Sequence, residues 1–195
     1  MDELRFNPDD PAIVIYLNYE YLTAAQLSTL VGAVNNIYES VARLLIYDAF
    51  EYVAAPNIVI HGVPLEVSRV NTAHSIELEF KLTRKKFPSI YTKEGKLGVE
   101  LPQWVAVMAV TSALLMGGLH GYGQVLDVMI KRTDLELKQI ELIQKARENA
   151  ERETSSSAAV QSSYYQLQSA IQEKNVSEVR VNGTVIKQAL DGKAK

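Results

Sequence analysis

Apolar and polar positions change their rhythm several times along this chain. Ala12 to Leu17 is a continuous apolar, β-branched run after Asp9, Asp10 and Pro11, the pattern of a buried strand. From Leu27 the spacing becomes three and four, through Leu30, Val31, Val34, Ile37, Tyr38, Val41, Leu44 and Leu45. That rhythm predicts an amphipathic helix from about Ala24 to about Tyr52, bending near Gly32. Thr23 followed by Gln26 three residues on is a capping box for its start.

Strand-like alternation then takes over. Asn57 to His61 and Leu65 to Val70 read as strands separated by a turn at Gly62, Val63 and Pro64. Asn71 to His74 is expected to be a hairpin loop leading into Ser75 to Leu82. There Ile76, Leu78, Phe80 and Leu82 alternate with Glu77, Glu79 and Lys81, so one face is dry and one wet. The basic stretch from Arg84 to Lys96 reads as irregular.

Leu101 to Leu126 carries no charged residue. As one helix this stretch would be roughly 39 Å long, more than a hydrocarbon core of about 30 Å. Pro102 suits a first helical turn, and Trp104 and Tyr122 lie where interfacial membrane anchors are placed. Ala109, Ala113, Gly117 and Gly121 recur every four residues and form a small-residue stripe. Four glycines close together disfavour a helix in water unless another surface packs on it. Two readings stay open: a membrane span, or a helix buried inside protein.

The helix is expected to continue to about Glu153, with Leu126, Ile130, Leu137 and Ile140 as a coiled-coil seam. The alternative for that seam is an amphipathic helix lying on its own domain. Ser155 to Ser157 reads as a hinge before a short helix from Ala158 to Glu173. Asn182-Gly183, set between two alternating runs, is a strong hairpin signal.

These elements predict an α+β fold. A small N-terminal β-α-β-β-β domain over residues 1–98 precedes a long helix over residues 99–153, transmembrane in one reading. Residues 154–195 form a tail of hinge, short helix and β-hairpin.

Composition narrows the function classes. The formal net charge is -3, so no basic balance suits the chain to nucleic acid, and none is expected as a partner. There are no cysteines, which removes disulfides, thiolate metal sites and cysteine nucleophiles. His61, His74 and His120 lack the spacing of a helical metal pair. No catalytic motif and no nucleotide loop fits, so no enzyme activity and no cofactor are expected. The acidic, polar N-terminus is not that of a secretory signal, giving an expected cytoplasmic location or a membrane association with the N-terminal domain in the cytoplasm.

The expectation is a homo-oligomeric assembly protein, with membrane lipid as a further candidate partner. Its interface would be Ala109, Ala113, Gly117, Gly121, Leu126, Ile130, Leu137 and Ile140, and its membrane anchors Trp104 and Tyr122. One version is a membrane-associated scaffold or effector. The other is a self-assembling structural protein that builds a ring or tube, such as a phage or capsid-associated component. No motif is specific enough to name a family.

Overall fold

The computed structural model describes residues 9–45, 58–61, 65–72, 75–82, 86–92, 97–115, 155–172 and 174–188, with 131, 136–137, 139–141, 143–144 and 148 between them. Its centre is strand β1 (Ile13–Tyr19), whose residues alternate between the core and the outer face. Helix α1 (Ala24–Leu45) follows and runs unbroken through Gly32. Strands β2 (Ile58–His61), β3 (Leu65–Thr72), β4 (Ser75–Leu82), β5 (Lys86–Thr92) and β6 (Leu97–Pro102) come next. Helix α2 (Gln103–Leu115), helix α3 (Ser155–Ile171) and strands β7 (Val176–Val181) and β8 (Thr184–Gln188) complete the chain.

Five strands form one antiparallel sheet in the order β3-β4-β1-β7-β8, and β2-β5-β6 form a second, smaller one. The elements β1-α1-β3-β4-α3-β7 trace a β-α-β-β-α-β path, the ferredoxin-like split arrangement. β2, β5, β6 and α2 are inserted into that path, and β8 is added at its end. The C-terminal hairpin is therefore no detached tail: β7 pairs directly with β1, and α3 packs against α1. Both ends of the described chain build one core, in which Ile13, Ile15, Leu17, Leu78, Phe80, Val179 and Val181 of the sheet meet Leu30, Val34, Ile37, Val41, Val160 and Leu167 of the helices.

Two polar devices fasten these long-range joints. Thr23 caps α1 as its pattern predicts: the Gln26 backbone N–H donates to Thr23 Oγ1 at 3.1 Å, and the Thr23 N–H donates to Gln26 Oε1 at 3.0 Å. At the other end, Asn182 (φ 48°) and Gly183 (φ 83°) both take positive φ, which a two-residue type I′ turn requires. Asn182 also reaches β1. Its Oδ1 accepts the Val14 N–H at 2.7 Å, and its Nδ2 donates to the Ala12 carbonyl at 3.0 Å.

The third segment departs from expectation. Among the described residues no helix is long and apolar enough to cross a membrane, which corrects the transmembrane reading. α2 has 13 residues, and Pro102 ends β6 instead of opening the helix. At 1.5 Å per residue its described part spans roughly 20 Å, less than a bilayer. Its lack of charge reflects burial on all sides, from Trp104 through Val107 and from Ala109 through Leu114. It touches α1, α3, β1 and β7 as well as β5 and β6 of the small sheet. Residues 116–130 lie outside the described set, and with them Gly117, Gly121, Tyr122, Leu126 and Ile130.

Two smaller differences follow from local chemistry. The basic stretch after Leu82 holds strands β5 and β6, because Phe87, Ile90 and Tyr91 are β-formers between the lysines. Ser155 to Ser157, read as a hinge, is the first turn of α3.

Candidate assembly surface

β3 is an edge of the large sheet and is eight residues long. Its register against β4 sets Leu65 opposite Leu82, Val67 opposite Phe80 and Val70 opposite Leu78. Residues directly opposite in an antiparallel pair share a face. Val67 and Val70 therefore point to the helix-bearing side, where Phe80 and Leu78 are sealed in the core. Yet Val67 is 43% exposed and Val70 is 55% exposed. Among the described residues no helix covers these two side chains as the helical layer covers β4.

The opposite face of the sheet is different in kind. Lys81 Nζ meets Asp10 at 2.7 and 2.9 Å and Glu79 at 3.5 Å. The hydrogen bond that Lys81 donates to the Asp10 carboxylate holds its ammonium above the ordinary lysine range. Arg180 pairs with Glu178 at 2.7 Å and lies over the Tyr16 ring, 5.6 Å from its centroid. Ser68 Oγ donates to Glu79 Oε1 at 2.7 Å. These charges are mutually satisfied and partly exposed, as on a solvated face, and each such pair adds little.

Ser68 is also the extra residue where the β3–β4 register shifts between Val67 and Arg69. The bulge keeps valines 67 and 70 on the same face although they are three apart. That is why strict alternation does not reveal them as one strip. The other edge of the sheet is β8. Among the described residues four more large apolar side chains stand in the open, including Tyr21 and, on the β8 edge, Val185 at 44%. Tyr165 on α3 is exposed beside a shallow groove lined by Ala158, Gln161, Ser162 and Ser169. Leu137 is 74% exposed.

The residues named from sequence are dispersed. Ala109 and Ala113 are fully buried in the chain's own core, where their small side chains let neighbouring elements approach α2. Trp104 is 5% exposed and packs in that same core, not as a membrane anchor. Ile140 packs against the core from the outside and Ile143 lies within it, the behaviour of an amphipathic helix on its own domain. Of the residues named, Leu137 alone is on the described surface. Val67 and Val70 were not singled out. A signal existed in Leu65, Val67 and Val70 as a strand with one apolar side, but the edge position depends on sheet order. Among the described residues no group of three or more His, Asp or Glu could hold a metal ion.

No protein-family model matches this chain, and no curated protein or solved structure matches it significantly.

Proposed function

We propose that this chain is a self-assembling structural protein, a subunit whose copies associate through surfaces that its own fold leaves uncovered. The observation that carries the reading is the exposure of Val67 and Val70 on the core side of the large sheet. Isolated exposed valines are ordinary on protein surfaces. These two differ because they extend a buried apolar layer out to the edge strand of the sheet. A ring or tube needs more than one self-contact, and exposed Tyr165 and Leu137 lie on other elements.

The size of the effect is modest. Fully burying a valine contributes roughly 1.5–3 kcal/mol, so two half-exposed valines per copy must act together with strand hydrogen bonds. Light scattering of the full chain, in buffer without detergent, tests the reading. The expected result is a mass that is a multiple of 21.7 kDa, falling on dilution and falling further in the Val67→Glu/Val70→Glu variant. A monomer at every concentration would contradict it.

A further inference from the structure

We infer that Asn182-Gly183 is a site of self-modification: the Asn182 side-chain amide cyclises onto the Gly183 backbone nitrogen and loses ammonia, and docking of the β7–β8 hairpin on β1 holds the reaction back. Of the chain's asparagines only Asn182 precedes a glycine. Glycine has no side chain to obstruct attack by its own nitrogen on the preceding side chain, and it lets the backbone reach conformations that other residues avoid. Asn175 is also buried, but it precedes Val176, whose branched side chain shields that nitrogen. The most reactive amide pairing in the chain thus stands at the turn of the closing hairpin.

The fold restrains this reaction. Asn182 is 4% exposed. Its backbone N–H donates to the Val14 carbonyl at 2.8 Å, its Oδ1 accepts the Val14 N–H at 2.7 Å, and its Nδ2 donates at 3.0 Å to the carbonyl of Ala12, just before β1. The ladder of β1 and β7 reaches Ile15 and Val181, and the Asn182 side chain carries it one step further. Cyclisation requires Cγ to swing onto the Gly183 nitrogen, which breaks both side-chain bonds. The leaving group, Nδ2, is itself tied to Ala12. The reaction therefore waits for a local opening that lifts the hairpin end from β1.

The steps balance with water as the one co-reactant. The Gly183 nitrogen gives its proton to solvent base and bonds to Cγ; the Cγ–Nδ2 bond breaks, and ammonia leaves with a proton taken from solvent. Water then opens the cyclic imide at either carbonyl. One opening gives aspartate. The other leaves the chain running through the former side chain, with an extra methylene in the main chain. Neither product keeps the donor to the Ala12 carbonyl, and both are anionic at neutral pH. The second also lengthens a turn whose two residues both hold positive φ. A hairpin that has opened and reacted no longer docks as before, so the joint is a one-way latch.

The experiment holds the full chain at mildly alkaline pH, in native buffer and in urea, and follows residue 182 by peptide mass spectrometry with isoaspartate labelling. In urea Asn182 should convert well ahead of Asn175. In native buffer it should convert at least about ten-fold more slowly than in urea. Ile15→Val trims the contact opposite Val181 and leaves the hairpin sequence intact. That variant, shown to be folded by circular dichroism, should convert several-fold faster than the native chain in native buffer and at the same rate in urea. Converted chain, separated by ion exchange, should unfold at lower urea than the unconverted chain. Equal rates in native buffer and in urea would overturn the restraint, as would a folded Ile15→Val variant that converts no faster. No conversion at position 182 in urea would remove the site, and an unchanged urea midpoint after conversion would remove the latch.

Discussion

Gln26 and Asn175 hold each other by a reciprocal amide pair although 149 positions separate them: Gln26 Nε2 donates to Asn175 Oδ1 at 3.1 Å, and Asn175 Nδ2 donates to Gln26 Oε1 at 3.0 Å. Asn175 Nδ2 also reaches the Tyr21 carbonyl at 2.7 Å, and the Asn175 carbonyl accepts the Glu20 N–H at 2.9 Å. The start of α1 and the entry to β7 are therefore one polar unit. Both side chains are buried, so removing one partner leaves the other short of hydrogen bonds at a cost of about 1–3 kcal/mol. Asn175→Leu and Gln26→Leu should each lower stability by that amount in urea unfolding. The double variant should lose clearly less than the sum of the two, because either single change already removes their mutual hydrogen bonds. Strict additivity would mean the pair is not coupled.

Asn182 joins the closing hairpin to the first strand, and a carboxylate cannot replace its amide. In Asn182→Asp the Val14 N–H keeps an acceptor, but the Ala12 carbonyl loses its donor and faces negative charge. The variant should be less stable than the native chain by about 1–3 kcal/mol at pH 7. The deficit should shrink as pH falls through the carboxyl range near 4, where a protonated Asp can donate again. Unfolding midpoints at pH 7 and pH 3.5, each compared with the native chain at that pH, test this. A deficit that stays constant between them would show that the Ala12 bond contributes nothing.

Trp104 is the chain's one tryptophan, so its fluorescence reports on α2 alone. Buried in the protein's own core, it should emit at short wavelength and resist acrylamide quenching without any lipid. Phosphatidylcholine vesicles should leave both properties unchanged. A shift that appears only with vesicles would return α2 to the membrane.

Thr111 lies in the middle of α2, with a buried hydroxyl that has no hydrogen-bond partner. An unmatched buried hydroxyl costs about 1–3 kcal/mol of desolvation. Thr111→Val keeps the shape and removes the oxygen, so it should raise stability by about 1 kcal/mol in the same unfolding assay. A loss of stability would mean that the hydroxyl is engaged in a way this packing does not explain.

The sequence made some of this fold legible and hid the rest for physical reasons. The capping box at Thr23 and Gln26, the alternation of Ile76 to Leu82 and the Asn182-Gly183 turn are local signals, and each appears where local chemistry puts it. The pairing of β7 with β1 is not local. Nothing in the hairpin's own residues says which strand Val179 and Val181 will lie beside, so it reads as a tail. The charge-free stretch fails differently. Lipid and protein interior both exclude charge, and apolarity alone cannot distinguish them until the neighbours are known; the described part of α2 is enclosed by its own chain. The uncovered valines of β3 combine both difficulties, since their alternation is broken by a bulge and their exposure depends on where the helices stop.

Hydrogen exchange at the backbone of β3, followed as a function of protein concentration, is the most direct test of association through this edge. Strand addition would pair the outward amides of residues 65–72, and their exchange should slow as concentration rises while β8 amides stay unchanged. Edge amides of β3 that exchange at the same rate at every concentration, in a sample whose mass shows association, would place the contact elsewhere and contradict the account.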